Sequence, residues 1–450
     1  MLSYYLYNAR LINEGEEFLG GLLIENGKIS KIFRDDNLPI DSSLSDFQKI
    51  DIKGKYLIPG IIDDQVHFRE PGLTHKADIY SESKAAVAGG ITSFMEMPNT
   101  KPGTLTQELL EEKYKLASEK SLANFSFYMG TSNDNIDEVL KTNPKNVCGL
   151  KIFLGSSTGN MLVNDQSKLN QFFSIPNMLI AVHSEDEGII QANTKKYKNL
   201  YGDNLPIKYH PEIRSEEACY KSTVYAIELA KKHNTRLHIL HLSTAREAEL
   251  LENNIPLENK MITAEVCVHH LWFKDSDYDK YGTRIKWNPA IKTEYDSDTL
   301  LSALLNNKID VVATDHAPHT EEEKNNSYFK APSGGPLVQH SLNIMLELYH
   351  QGKITLEKIV EKMCHAPAKC FNIKDRGYIR KNYWADLTVI DINKANKVEK
   401  DNILYKCKWS PFEGYTFNSS ITHTFINGKL VYNHGNFNES FRGKRLLFDR

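Results

Sequence analysis

Eight short apolar segments, each suited to a β-strand, recur through the middle of the 450-residue chain and alternate with segments of helical character. The strand-like segments are residues 60–68, 91–97, 124–130, 147–154, 179–183, 236–241, 261–270 and 309–315. Stretches such as TLTQELLEEKYKLASEK and EEACYKSTVYAIELAKKH separate them. This alternation is typical of parallel β/α units, and eight such units predict an α/β fold of the TIM (β/α)8 barrel type.

Both ends of the chain have a different, β-rich pattern of short alternating segments. The N-terminal part contains YLYNARLI and GGLLIENGKISKIF, and the C-terminal part contains ADLTVIDI and THTFINGKLVYN. Asn-Gly pairs at Asn26-Gly27 and Asn427-Gly428 are strong hairpin signals. We expect residues 1–57 and 376–450 to form one small composite β-sandwich domain, with the barrel spanning residues 58–375.

The overall charge and composition exclude several classes of partner. Charged residues make up 25% of the chain and hydrophobic residues 40%, and the formal net charge is −3. This balance argues against nucleic acid or an anionic membrane surface as a partner. No apolar run reaches membrane-spanning length, and the N-terminus lacks the pattern of a signal peptide. The six cysteines form no CxxC pair, which suits a reducing cytoplasm and argues against a thiolate zinc site.

Side chains of the types that bind metals lie near the ends of the predicted barrel strands. His67, His183, His241 and Asp315 end the first, fifth, sixth and eighth strands, and Lys151 lies within the fourth. Each has an ordinary structural explanation when taken alone, but barrel enzymes place their chemistry where these strand ends converge. Imidazole and carboxylate ligands suit zinc or another divalent first-row metal. Lys151 becomes an anionic bridging ligand if carbon dioxide adds to its amine and gives a carbamate.

Several ordered motifs resemble those of dihydroorotases and dihydropyrimidinases in the amidohydrolase superfamily. They are PGIIDDQVHFREPGLTHK (59–76), MPNT (97–100), GLKIFLG (149–155), AVHSED (181–186), HILHLST (238–244), WNPAIK (287–292) and ATDHAPH (313–319). ADLTVID, WSPFEG and INGKLVY are similar to the C-terminal segment of the same superfamily. The resemblance covers nearly the whole chain. It implies metal-dependent hydrolysis of a cyclic amide, with Asp315 as the catalytic base.

One position departs from the family pattern. The family usually has His-x-His at the end of the first strand, whereas this chain has Gln65 and His67. Residues 63, 65 and 67 share one strand face, so Asp64 points away and is a poor substitute ligand. Because a neutral amide binds zinc more weakly than imidazole, we predict one tightly bound Zn2+ and a weak second site near His67 and Asp315. The predicted ligands of the tight site are carbamylated Lys151, His183 and His241.

The substrate depends on the residues around the metal. Arg69 matches the family residue that clamps the ring carboxylate of dihydroorotate, and a guanidinium suits two carboxylate oxygens. Asn99 and His319 match further carboxylate contacts, and Asn288 matches a contact to the ring amide. The leading hypothesis is therefore a dihydroorotase activity, the reversible hydrolysis of L-dihydroorotate to N-carbamoyl-L-aspartate in pyrimidine biosynthesis.

Two alternatives stay open from the sequence. One is an allantoinase or hydantoinase-type cyclic amidase with an uncharged substrate, and the other is an inactive homologue that serves as a structural partner. The only partner expected otherwise is a small-molecule substrate, and the resemblance implies a homodimer. Residues 155–162, GSSTGNML, are either a mobile lid or a plain turn.

Overall fold

The computed structural model describes residues 3–35, 44–155 and 161–450. Most of the loop considered above as a lid, residues 156–160, lies outside these ranges. The chain begins with five strands, which are β1 (Tyr4–Asn13), β2 (Glu16–Glu25), β3 (Lys28–Arg34), β4 (Gln48–Asp51) and β5 (Tyr56–Pro59). Asn26 and Gly27, both with positive φ, form the turn between β2 and β3, as the Asn-Gly signal predicts.

Parallel strands then build the barrel. They are β6 (Ile61–Val66), β7 (Ile91–Glu96), β8 (Asn124–Phe127), β9 (Met129–Gly130), β10 (Leu150–Phe153), β11 (Leu179–His183), β12 (Arg236–Ile239), β13 (Ile262–Cys267) and β14 (Val311–Ala313). The third predicted strand is divided at Tyr128 into β8 and β9. A parallel bridge between Val66 and His316 and the hydrogen bond from His67 N to His316 O, 2.7 Å, join the last strand to the first.

Helices connect the barrel strands and cover them. They are α1 (Ile79–Ala88), α2 (Gln107–Lys120), α3 (Ile136–Leu140), α4 (Gln166–Phe173), α5 (Glu187–Tyr201), α6 (His210–Ile213), α7 (Glu216–His233), α8 (Ala245–Ala248), α9 (Val268–Trp272), α10 (Tyr278–Tyr281), α11 (Glu294–Leu305), α12 (Glu321–Lys324), α13 (Ser341–His350), α14 (Leu356–Val360) and α15 (Ala366–Phe371). Side-chain caps start the long helices that follow site strands: Asp186 accepts from Ile189 N at α5, and Ser215 accepts from Ala218 N at α7.

The remaining strands return to the start of the chain. They are β15 (Leu387–Asp391), β16 (Asn396–Lys397), β17 (Thr416–Phe417), β18 (Ser420–Ile426), β19 (Lys429–Asn433) and β20 (Asn436–Phe437). A nine-stranded sheet runs β20-β19-β18-β15-β5-β1-β2-β3, with β4 paired to β1. β15 pairs with β5, so the two ends of the chain share one sheet, and buried residues of both ends, such as Leu11 and Val389, pack together.

The barrel core consists of nearly continuous apolar runs, because parallel strands are covered on both faces. All residues of β11, LIAVH, are buried, although its last residue is a histidine. Within the described ranges, no helix combines the length and apolar character needed to cross a membrane.

Candidate active site

A cavity of about 340 Å³ opens where the carboxyl ends of the barrel strands meet. Nine of its lining residues are those that the sequence singled out: His67, Arg69, Asn99, Lys151, His183, His241, Asn288, Asp315 and His319. Gln65 also lines it. The folded chain therefore brings together side chains that are far apart in the sequence, such as His67 and His319.

Lys151 extends from β10 into this cavity and is almost completely buried. Its Nζ lies 4.6 Å from the centre of the Phe153 ring. Burial lowers the pKa of Lys151 to about 7, although the charges of Glu265 and Asp315 oppose this shift. A large fraction of the amine is therefore neutral and nucleophilic near neutral pH.

Two imidazoles face each other beside this amine. Nδ1 of His183 and Nε2 of His241 are 3.0 Å apart, and His241 Nδ1 has no hydrogen-bond partner in the described chain. Burial is the main cause that lowers the pKa of both histidines, so both rings are neutral and their lone pairs are available. Two nitrogen ligands of one zinc ion, each about 2.0–2.1 Å from the metal, lie about 3.0–3.4 Å apart, so the pair fits one divalent ion.

Behind His183 lies a buried ion pair that the sequence did not indicate. Glu185 Oε2 is 2.9 Å from Nε2 of His183 and also contacts the guanidinium of Arg214. Burial alone would raise the pKa of Glu185, but Arg214 and His183 outweigh it and lower the pKa to about 2. A carboxylate in this position orients a ligating imidazole and leaves Nδ1 directed at the cavity.

Asp315 follows β14 and also lines the cavity. Gln65 Nε2 donates to Asp315 Oδ1 at 3.1 Å, and Nε2 of His67 is also 3.1 Å from that oxygen. Nδ1 of His67 is 2.8 Å from Asn99 Oδ1, an acceptor that assigns the ring proton to Nδ1. The Nε2 lone pair of His67 therefore points at the carboxylate, an arrangement that a cation between them would stabilise.

The guanidinium of Arg69 forms part of the cavity wall and is buried. Its Nε donates to Pro318 O at 3.1 Å, and one terminal nitrogen is 3.1 Å from Nε2 of His319. Nε2 of His319 is also 2.9 Å from Ser333 O, and Lys76 Nζ lies 2.9 Å from its Nδ1. Burial lowers the pKa of Arg69 to about 10, so it stays charged at neutral pH. No carboxylate among the described residues forms a salt bridge with it.

Three of the site residues adopt left-handed backbone conformations. Arg69, His241 and Asp315 have φ of 68°, 39° and 47°. Residues other than glycine rarely adopt such angles, and they concentrate where a site needs a fixed side-chain direction.

Some lining residues carried no sequence signal. Arg214 precedes the Ser215 helix cap without any distinguishing pattern, and Phe153 reads as an ordinary strand residue. The segment 332–334 also lines the cavity, and only its turn-forming composition, Pro-Ser-Gly, set it apart. At Gly334, with φ of 120°, an added Cβ would lie 2.5 Å from Ala317 O, so the backbone approaches closely there.

Comparison with known proteins adds independent information. The amidohydrolase family model matches residues 56–431. The dihydroorotase of Methanosphaera stadtmanae is 32% identical over 433 residues, which cover 96% of this chain and 96% of that protein. The dihydroorotase of Pyrococcus furiosus is 33% identical over 449 residues, covering 98% and 94% of the two chains.

Solved structures give the same fold. An L-hydantoinase (dihydropyrimidinase) from Arthrobacter aurescens matches with a TM-score of 0.91 and 27% identity, covering 97% of both chains. A dihydropyrimidinase from Brevibacillus agri matches with a TM-score of 0.88, 23% identity and full coverage of both chains. The predicted (β/α)8 barrel with an additional sheet is thereby confirmed.

Proposed function

This chain belongs to the amidohydrolase family and, within it, to the dihydroorotases, and we propose that its cavity catalyses the reversible hydrolysis of L-dihydroorotate to N-carbamoyl-L-aspartate. The family match and the relatives make it a metal-dependent cyclic amidohydrolase. The observation that carries the proposal is a buried Arg69 without a carboxylate partner among the described residues, facing the same cavity as Lys151, His183 and His241.

The ring carboxylate of dihydroorotate is the feature that this cavity wall suits. Nε of the Arg69 guanidinium donates to Pro318 O, which orients the planar group, whereas Nε2 of His319 donates to Ser333 O and offers Arg69 no lone pair. A planar fork held this way binds two carboxylate oxygens, and the bonds are charge-assisted. In the proposal Asn99 and His319 add contacts to the same carboxylate, and Asn288, whose Oδ1 has no described hydrogen-bond partner, contacts the ring amide.

The metal in this proposal is held by Lys151, His183 and His241. The neutral amine of Lys151 attacks carbon dioxide, one N–C bond forms, one proton leaves to solvent, and the carbamate has one negative charge. That carbamate and two neutral imidazoles suit a divalent ion such as Zn2+. When bound there, the metal polarises the amide carbonyl and lowers the pKa of the attacking water.

Asp315 moves the proton in this proposal. Its carboxylate lines the same cavity as the imidazole pair and takes the proton from the attacking water. It then delivers that proton to the ring nitrogen as the amide bond breaks. Gln65 donates to the Oδ1 atom and holds it in place, which leaves Oδ2 for the proton.

A hydantoinase activity is the second candidate, because the Arthrobacter aurescens hydantoinase has the same fold with a TM-score of 0.91. The experiment is an ultraviolet assay of the zinc-loaded protein, prepared with bicarbonate, on dihydroorotate, hydantoin and dihydrouracil. We expect turnover of dihydroorotate and, in the reverse direction, of carbamoyl aspartate. Turnover of hydantoin or dihydrouracil without dihydroorotate would favour the second candidate, and no turnover of any of them would favour an inactive structural partner.

We also expect a cytoplasmic homodimer. Light scattering of the purified protein tests its dimeric state.

A further inference from the structure

Three ionisable side chains meet inside the barrel, one layer below the cavity. Asp64 on β6, His238 on β12 and Glu265 on β13 are completely buried, and none of them lines the cavity. Nε2 of His238 is 3.1 Å from Asp64 Oδ2 and 3.5 Å from Glu265 Oε2. A ligand atom from each of the three side chains lies within 4.8 Å of the others.

The ring proton of His238 can be placed from its neighbours. Nδ1 of His238 is 2.8 Å from Thr263 Oγ1, and that hydroxyl donates its own proton to Leu237 O at 3.3 Å. Since the hydroxyl proton is used, Thr263 accepts from His238 Nδ1–H. Burial would lower the pKa of His238, but its contacts with Asp64 and Glu265 outweigh this effect and raise the pKa to about 9. Nε2 therefore carries a proton between the two carboxylates, and a lone pair faces them only when a metal ion replaces that proton.

The two carboxylates need a positive charge beside them, which either the His238 proton or a metal ion supplies. Asp64 Oδ1 and Oδ2, His238 Nε2 and Glu265 Oε2 have no hydrogen-bond partner within the described residues. Both carboxylates form ion pairs with His238, as buried carboxylates require. The 3.1 Å contact between Nε2 and Asp64 is not an aligned hydrogen bond, so a metal ion in place of the proton would break no such bond.

We propose that Asp64, His238 and Glu265 bind a divalent first-row metal ion, at a site separate from the hydrolytic centre. Ligand atoms about 2.0–2.2 Å from a tetrahedral metal are about 3.3–3.5 Å apart, and the observed 3.1 and 3.5 Å are close to these values. Two carboxylates neutralise the charge of a divalent ion, and one imidazole completes a donor set that suits zinc. Thr263 is the outer hydrogen-bond acceptor that ligating histidines usually have.

The ion has a structural role, because it joins β6 to the paired strands β12 and β13. It fixes Glu265, whose Oε1 accepts from His241 N at 3.0 Å, and so supports the floor of the cavity. Because the three ligands are completely buried, the ion enters during folding and leaves only when the barrel opens. The hydrolytic metal, in contrast, faces a solvent-connected cavity.

This difference gives a test that does not depend on activity. The full-length protein is refolded with Zn2+, treated in the native state with a large excess of a chelator, dialysed, and analysed for metal before and after unfolding in guanidinium chloride. We expect about one equivalent per chain to survive native chelation and to be released only on unfolding. Asp64→Asn should retain less than a tenth of that amount. Asp63→Asn is the matched control, because Asp63 is equally buried on the same strand but bonds to Thr314, and it should retain the metal.

Anomalous diffraction of wild-type crystals at the zinc edge locates the ion even if Asp64→Asn fails to fold. We expect a peak between Asp64, His238 and Glu265, distinct from any peak beside Lys151. The proposal is overturned if the refolded wild-type protein retains no metal and shows no such peak, or if folded Asp64→Asn retains as much metal as Asp63→Asn. A peak beside Lys151 alone would leave the proposed function intact and refute only this site.

Discussion

Gln65 donates a hydrogen bond from Nε2 to Asp315 Oδ1 over 3.1 Å, at the place where the related families usually have a second ligating histidine. The same oxygen of Asp315 faces Nε2 of His67. The Gln65 amide therefore donates to a lone pair of Asp315 Oδ1, which the family pattern assigns to metal binding. Gln65 stabilises the carboxylate without offering an imidazole ligand.

From this contact we predict that replacing Gln65 with histidine raises metal occupancy on the Asp315 side. In Gln65→His an imidazole joins His67 and Asp315, which makes a complete ligand set for a second hydrolytic ion. Zinc-edge anomalous maps of wild-type and variant crystals measure occupancy at each position, which bulk metal analysis does not. We expect a weak or absent peak beside Asp315 in the wild type and a strong one in the variant. A strong wild-type peak there would show that Gln65 does not impair the site.

Arg69 is expected to set the preference for a substrate with a carboxylate. Arg69→Ala should lower kcat/KM for dihydroorotate by roughly 30- to 1,000-fold, because losing charge-assisted hydrogen bonds costs about 2–4 kcal/mol. Arg69→Lys is the control that keeps the charge but not the fork, and it should recover part of the loss. Steady-state assays of the three proteins measure this. An unchanged kcat/KM in folded, metal-loaded Arg69→Ala would contradict the carboxylate role.

Much of the cavity was predictable because its residues stand at strand ends. The strand pattern fixes which residues meet at the carboxyl edge of the barrel, and five of the nine predicted cavity residues were chosen on that basis. The other four, Arg69, Asn99, Asn288 and His319, came from the family resemblance. The same periodicity placed Asp64 on the opposite strand face from Gln65, and the structure has it pointing at His238. Their roles in binding and catalysis stay predictions.

Other parts needed the three-dimensional structure. Arg214 reaches the cavity from the loop before α7, and no periodicity relates it to Glu185, 29 positions earlier. Strand pairing brings Glu265 next to His238, but only the register of β12 against β13 determines which side chains meet inside the barrel. Long-range pairings of this kind leave no local signal in the sequence.

Glu185 is expected to act through His183. Glu185→Gln keeps the shape but removes the charge behind Nε2 of His183, and outer partners of this type typically change metal affinity by about 10- to 100-fold. We therefore predict a rise of that size in the zinc dissociation constant of the hydrolytic centre, measured by competition with a chromophoric chelator. The control is Glu247→Gln, another buried glutamate, bonded to Thr223 and Thr244 away from the cavity. Equal affinities in all three proteins would mean that Glu185 only compensates the charge of Arg214.

Asp315 is expected to affect the chemical step more than binding. Asp315→Asn keeps the size of the side chain but removes the proton acceptor, and loss of a general base typically lowers kcat by about 10²- to 10⁴-fold. KM should change little, because the proposal assigns binding of the substrate carboxylate to Arg69. Stopped assays at saturating dihydroorotate, with wild-type and Asp315→Asn protein of measured zinc content, determine the two kcat values. A kcat within threefold of the wild type would assign the proton transfer to another group.

Asp63 provides a pH-dependent test of the barrel itself. Burial raises its pKa from 3.8 to about 8, and the hydrogen bond with Thr314 only partly opposes this shift. Between these two pH values the folded protein holds a proton that the unfolded chain has released. The contribution of Asp63 to stability is therefore complete below pH 3.8 and is lost as the pH rises towards 8, with a slope of at most about 1.4 kcal/mol per pH unit. Asp63→Asn cannot ionise, so its stability relative to the wild type should increase from pH 5 to pH 8. Urea unfolding of both proteins at each pH measures the difference, with Asp203→Asn, an exposed carboxyl, as the control that should show none. A difference that stays constant between pH 5 and pH 8 would mean that Asp63 is ionised in the folded barrel.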